Sequence, residues 1–223
     1  MDIGHMLDPA AGSIVIGGTI LATVLRSGMA DCRAALAALG ALGRPQFRAE
    51  DVRAVLASQV TQANADGLLR VRIRPCGDAS IDAGVAALVQ SRSLAALVER
   101  DDADRMVRVS VAVRAVRTLA LGAELAPVFG LAGTLVSLSQ LPAEGLARGQ
   151  FMGTISMAVL TTLYGLLLAN FVFAPLSRAV ERRVEAEEAA RREIIDWLTG
   201  QLGPACQPTR QRQQPPHYLR EVP

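Results

Sequence analysis

Charged and uncharged positions divide this chain into long blocks. Three stretches carry no charge: 9–25 with 17 residues, 125–143 with 19 and 149–177 with 29. A helix needs about 20 apolar residues to cross the hydrocarbon core of a bilayer, with a lower limit near 17. The third stretch exceeds that length, and the second meets it if its helix begins near Leu119, with Glu124 close to one end. The first is short, but its run Ile14-Val15-Ile16-Gly17-Gly18-Thr19-Ile20-Leu21 is apolar enough to insert. Gly17 and Gly18 would let a neighbouring helix approach closely. A cleaved signal peptide is disfavoured, because Asp2 and Asp8 rather than basic residues precede the run. The pattern predicts spans near 10–26, 119–141 and 152–176.

Between and after these blocks the pattern is helical. Segments 34–43 and 83–96 are rich in Ala and Leu, strong helix formers. Valines at 107, 109, 111, 113 and 116 alternate in a way that would suit a strand. Arg105, Arg108, Arg114 and Arg117 fall at three, six and three, however, which leaves Val109, Val113 and Val116 on another face of a helix. Breaks are expected at Arg44-Pro45 and at Arg74-Pro75-Cys76-Gly77-Asp78. Residues 176–198 read as one long helix with the pairs Glu187–Arg191 and Glu188–Arg192. Val180, Val184, Ile194 and Leu198 mark its apolar stripe. Beyond Gly203 the Pro, Gln and Arg content predicts a disordered tail. The expected fold is all-α: a polytopic membrane protein with three transmembrane helices and a helical cytoplasmic domain.

Charge sets the expected orientation. Segment 28–118 holds 13 arginines and 178–223 holds eight, whereas the link 141–150 holds only Arg148. Basic residues accumulate on the cytoplasmic side. The expected division is a transmembrane helix in 1–27 with a periplasmic N-terminus, a cytoplasmic domain over 28–118 and a two-helix channel region over 119–176. A cytoplasmic helix over 177–203 and a disordered tail over 204–223 complete it. The location this implies is a bacterial inner membrane.

Composition removes other classes. Half the residues (51%) are hydrophobic, mean hydropathy is +0.29 and net charge is +2, so the chain is not intrinsically disordered. Cys32, Cys76 and Cys206 are odd in number and far apart, and His5 and His217 lie near opposite ends, which argues against a disulfide scaffold or a metal motif. A nucleic-acid module would need a basic cluster interleaved with aromatics. Nothing suggests an enzyme, since no nucleophile–base pair, metal cluster or phosphate loop is visible. No organic or metal cofactor is expected.

The candidate chemistry lies in the second and third spans. Glu124 is the only ionisable residue near the body of a span, and an ion pathway needs a charged group within the membrane. If the chain moves ions, the carboxylate must come from another chain. Pro127, Gly130, Thr134, Ser137 and Leu141 recur at helical steps, as do Thr154, Ala158, Thr161, Thr162, Gly165 and Ala169. Small residues of this kind are also what ordinary membrane-helix packing uses. On these residues alone, packing and an ion pathway both stand.

These same positions resemble a family. Ala126-Pro127-Val128-Phe129-Gly130-Leu131-Ala132-Gly133-Thr134-Leu135-Val136 is similar to the "APxFGxxGTxxG" span of the MotA/TolQ/ExbB ion-channel subunits, with Ser137 where Gly is usual. Ala158-Val159-Leu160-Thr161-Thr162-Leu163-Tyr164-Gly165 resembles the "AxLTTLYG" span. Leu168-Ala169-Asn170 and Phe173-Ala174-Pro175-Leu176 resemble the "LAN" and "FxPL" endings of the flagellar stator branch, MotA. Leu7-Asp8-Pro9-Ala10 with Ile16-Gly17-Gly18-Thr19 resembles the second stator helix, and Ala65-Asp66-Gly67-Leu68-Leu69 the cytoplasmic "GLLxLE" segment.

Three departures accompany the likeness. Stator subunits have four spans, and the count here is three, as in ExbB and TolQ. The cytoplasmic body is short. Rotor-contacting charges of the stator pattern correspond to Asn64 and Arg72, a change of sign that would repel a patch built for glutamate.

The resemblance implies a homopentamer around a dimer of a single-span, Asp-bearing partner of the MotB kind, or of the ExbD/TolR kind. Pro127, Thr134 and Thr162 would form the ion pathway facing that partner helix, and Gly130, Gly133, Ala158, Gly165 and Pro175 would pack the channel helices. Arg70, Arg72, Glu99, Arg100, Asp101, Asp102 and Arg105 are candidates for docking a partner such as the flagellar rotor. The implied function converts an ion gradient into rotation, with H⁺ favoured over Na⁺ because the chain offers no acidic ligand at that depth. The alternatives are an ExbB/TolQ-like energiser of outer-membrane transport or envelope integrity, and a non-conducting membrane scaffold. Membrane lipid is the expected surrounding, and no nucleic-acid partner is expected.

Overall fold

The computed structural model describes residues 9–67, 74–139 and 148–206. Among these every regular element is helical: α1 (Pro9–Ser27), α2 (Met29–Leu42), α3 (Ala49–Asp66), α4 (Ala79–Ser91), α5 (Leu94–Ser139), α6 (Arg148–Leu167), a π turn (Leu168–Phe173) and α7 (Ala174–Cys206). The arginine-interrupted valines lie within α5, so the helical reading of that segment holds. Among the described residues two helical runs are long and apolar enough to cross a membrane, α5 and Met152–Gly203, and the bent pair α1–α2 passes the same test as a third. The fold is all-α and of the polytopic membrane type.

Three boundaries differ from the sequence expectation. No break separates 118 from 119, because α5 runs on for 46 residues. The helix expected over 83–96 is two helices, broken at Arg92 in the left-handed region (φ 55, ψ 29). Ser91 supplies the reason: its Oγ accepts the Ser93 N–H at 3.3 Å and competes with the helix for that donor. The last helix continues through Gly203 to Cys206, which packs against a hydrophobic core instead of joining a tail. Residues 207–223, the rest of the expected tail, lie outside the described residues.

The chain forms two compact units, 1–45 with 107–186 and 46–106 with 187–223. In the first, α1 ends at Gly28, whose φ 83 and ψ 161 lie in a region open essentially to glycine alone. The axis turns there by 116° into α2. The inner face of α2 buries Ala35 against Ala115, Leu119 and Val180. Arg183 donates to the carbonyls of Leu42, Arg44 and Pro45 at 3.1, 3.0 and 3.2 Å, closing the end of α2. Asp31 pairs with Arg114 at 3.6 Å.

The second unit is built on apolar volume. Val52, Leu56, Val60 and Ala63 of α3 pack with Ile81, Val85 and Leu88 of α4, Leu97 of α5, and Ile194, Ile195, Leu198 and Leu202 of α7. Asp78 caps α4, with Oδ1 accepting the N–H groups of Ser80 and Ile81 at 3.0 and 3.2 Å. Its Oδ2 accepts from Arg191 Nε and Nη2 at 3.2 and 3.0 Å. Arg191 also meets Glu187 at 3.7 Å and Glu188 at 3.6 Å, and stacks over Phe47 at 4.7 Å. The expected Glu187–Arg191 pair is therefore present. Glu188 reaches Arg191 and, at 4.0 Å, Arg105 in place of the expected Arg192.

Candidate functional site

Helices α5 and α6 meet along a seam of small residues in the first unit. Gly122, Ala126, Gly130, Gly133 and Ser137 are buried on α5, and Ala158, Thr161, Gly165 and Ala169 on the facing helix and π turn. The approach is backbone to backbone. A Cβ on Gly165 would lie 2.6 Å from the Ala126 carbonyl oxygen, and one on Gly130 would lie 3.0 Å from the Thr161 carbonyl oxygen. One on Gly133 would meet the Thr161 side chain at 2.9 Å. Such proximity is what small residues permit where lipid gives no hydrophobic drive for helices to associate.

Below this seam the contacts change scale. The Phe173 ring fills the space over Gly122, where a Cβ would sit 2.6 Å from the ring. Gly165, Ala169, Phe173 and Ser177 follow at steps of four, faster than the 3.6 of an α-helix. The wider π turn at Leu168–Phe173 absorbs that drift and keeps all four on one side. Ser177 is buried and donates to the Val116 carbonyl at 3.3 Å. Across the seam's other flank, Phe129 occupies the notch left by Gly18, whereas no described residue lies within 4 Å of a Cβ placed on Gly17. Of the glycine pair in α1, Gly18 is the member packed within this chain's described residues.

The two candidate threonines lie beside the seam and share a groove. It holds about 550 Å³ and is lined by Thr134 and Leu138 of α5 with Ile155, Ala158, Val159, Thr162, Leu163 and Leu166 of α6. Each hydroxyl donates to its own helix, Thr134 Oγ1 to the Leu131 carbonyl at 2.6 Å and Thr162 Oγ1 to the Ala158 carbonyl at 3.4 Å. With its hydrogen so used, a hydroxyl offers the groove acceptor lone pairs. Acceptors suit a protonated carboxyl or a partly dehydrated cation. They oppose a carboxylate anion until a hydroxyl turns, and the longer, weaker bond makes Thr162 the easier one to turn.

The remaining candidates are distributed as follows. Pro127 is half-buried within α5, its Cα 3.2 Å from a Cβ placed on Gly165, and is not part of the groove lining. Pro175 is exposed in the first turn of α7, off the seam. Glu124 is exposed. Among the docking candidates Glu99, Arg100 and Asp102 are exposed, with Arg100 bonded to Asp104 at 3.2 Å. Asp101 is buried, and Arg105 lies 4.0 Å from Glu188 with its side chain 41% exposed. Arg70 and Arg72 lie outside the described residues, as do Asp8 and Leu141.

Sequence reasoning placed Thr161 on the small-residue stripe but did not separate it from Thr162. Thr161 is fully buried and fills the seam, while its neighbour Thr162 opens to the groove. The Gly122–Phe173 contact was missed. The four-residue spacing from Gly165 to Ser177 carried its signal.

Residues 80–193 match the model of the MotA/TolQ/ExbB proton channel family, half of the chain and all of both channel helices. The chain belongs to the MotA/TolQ/ExbB proton channel family. Within the curated proteins, it is 26% identical to the chemotaxis protein PomA of Vibrio alginolyticus over 202 residues, covering 88% of this chain and 78% of that one. It is 33% identical to the uncharacterized protein YtxD of Bacillus subtilis over 114 residues, covering 51% of this chain. The match spans only 38% of the length of YtxD. The fold is that of a solved flagellar MotAB stator complex from Bacillus subtilis, with TM-score 0.82 at 19% identity, covering 92% of this chain and 83% of that one. The seam and groove both fall within the part of the family that matches.

Proposed function

We propose that this chain is a stator-type proton-conducting subunit that works with a single-span, Asp-bearing partner to turn an ion gradient into rotation of the flagellar motor. The observation that carries the reading is the groove that brings Thr134 and Thr162 together on the two family-matched helices. Likeness to PomA and to a MotAB stator complex supports the flagellar role, and the proton follows the family to which the chain belongs. Placement in a bacterial inner membrane accords with the long apolar helices. The arginine distribution supports a periplasmic N-terminus with 28–118 and 178–223 inside.

The proposed assembly is a pentamer around two partner helices. Each partner carboxyl, in low dielectric, resists ionisation and accepts a proton readily. Once protonated it can donate to the acceptor oxygens of the groove. Once ionised it needs a donor, which a turned Thr162 hydroxyl supplies. Alternation between these contacts moves the partner helix against the groove, and a mismatch of five with two turns each change into a step. Moving one charge through about 100 mV provides roughly 2.3 kcal/mol.

The experiment is partner-dependent proton flux and motility in the variants Thr134→Val, Thr162→Val and the double variant. The expected result is a larger loss for Thr162→Val than for Thr134→Val, with assembly retained. Unchanged flux in the double variant would overturn the conducting role and leave a scaffold. Activity that vanishes without sodium and returns in proportion to its addition would overturn the choice of proton.

A further inference from the structure

Among the described residues nothing covers the outward face of α2. Met29 and Leu36 are 67% and 69% exposed, and Ala30, Arg33, Ala37 and Gly40 share their side of the helix. The opposite side is fully engaged, through Ala35 in its core cluster and Asp31 in its pair with Arg114. That pair removes the only acid of α2 from the outward charge balance. Arg26 at the end of α1, Arg33 on the face and Arg44 just past its end are all exposed and make no ion pair among the described residues.

The bend decides which medium meets this face. The chain turns by 116° at Gly28, so if α1 crosses the bilayer, α2 runs at little more than a right angle to it. A helix in that attitude, joined by one residue to a spanning helix, lies at the level where the hydrocarbon ends. Exposed Leu25, at 77%, makes the apolar surface continuous from α1 into α2. Helices that rest in the membrane interface combine an apolar face with basic residues that reach for anionic headgroups. Two-fold pairing of this face with itself in a second copy would bring arginine against arginine.

We propose that the outward face of α2 lies in the headgroup layer and binds anionic phospholipid, with Met29 and Leu36 turned toward the acyl chains and Arg26, Arg33 and Arg44 holding phosphates. This binding is separate from the groove at Thr134 and Thr162. It fixes the height of the spanning helices in the membrane and makes the subunit selective for lipid charge.

The full chain, with Cys32, Cys76 and Cys206 changed to Ser, carries Leu36→Cys labelled with a bimane fluorophore. It is reconstituted in vesicles of phosphatidylcholine alone or mixed with phosphatidylglycerol, each lipid in turn bearing a nitroxide near its headgroup. The expected result is blue-shifted emission, quenched at least about twofold more strongly by the phosphatidylglycerol probe. An arginine at an anionic surface strengthens attachment about fivefold. The variant Arg26→Gln/Arg33→Gln/Arg44→Gln therefore loses the preference while keeping the blue shift. Should that variant aggregate, Arg33→Gln alone must still lower the preference. Water-like emission in both vesicles would overturn the proposal. So would blue-shifted emission that no lipid probe quenches, which would place protein on the face, or equal quenching by the two lipids.

Discussion

The α5–α6 seam and the core of the 46–106/187–223 unit hold helices together in opposite ways. The seam buries Ala126, Gly130, Gly133, Thr161 and Gly165, and at Gly130 and Gly165 it brings backbone against backbone. The other core buries Leu56, Ile81, Leu88, Leu97, Ile194 and Leu198 and is rimmed by the Arg191 network. In water, burying aliphatic volume is itself the driving force. In lipid, apolar volume gains nothing by leaving its surroundings, so helices associate through close fit of small residues. The contrast shows which medium each set of residues was selected against.

The largest effect is expected where the seam is tightest. Gly165→Leu would drive a side chain into the Ala126 carbonyl, and the helix pair should fail to form. Loss of the assembled protein on size-exclusion chromatography, with no proton flux, is the expected outcome. Normal assembly would show that the seam does not organise this unit. In the other core, removing volume should be the damaging change. Leu198→Ala is expected to cost about 2–5 kcal/mol, read by faster amide exchange in α3 and α4.

Thiol chemistry sharpens the same contrast at the rim of that core. Burial pushes the Cys76 thiol up to about 11 from 9.0, and the Asp82 carboxylate beside it adds to the rise. At pH 8 this side chain should hold roughly a hundredfold less thiolate than an ordinary cysteine, and alkylate correspondingly slowly. Its rate should keep rising as pH climbs through 11, whereas an ordinary thiol is already half ionised at 9.0 and levels off earlier.

Smaller effects separate the roles of Asp78. Asp78→Asn keeps the cap on Ser80 and Ile81 but weakens the Arg191 pair, whereas Asp78→Ala removes both. The alanine variant should be less stable than the asparagine variant by about 1 kcal/mol, seen in exchange of the α4 amides. The smallest change belongs to Arg48→Ala. Its pair with Asp51 at 3.7 Å is more than two-thirds exposed on both sides, and stability should move by less than about 0.5 kcal/mol.

Much of this protein is set by the chain's own pattern. Runs without charge define the spanning helices, arginines at helical steps within 104–118 rule out a strand, and the motifs around Pro127 and Thr162 place the chain in its family. These are local properties, because periodicity and hydrophobic length act within a few turns of one helix. Which face of a helix meets which neighbour is not local. Thr161 and Thr162 are identical in type and adjacent in sequence, yet one is sealed against Gly133 and the other opens to a groove. Gly17 and Gly18 differ in the same way, since only Gly18 meets Phe129. The stripe of Val180, Val184, Ile194 and Leu198 reads as one surface but serves two cores, the valines in one and Ile194 with Leu198 in the other. Rotation by a single residue turns a helix position through about 100°, and only the angular position of the partner helix decides whether that position is packed or open.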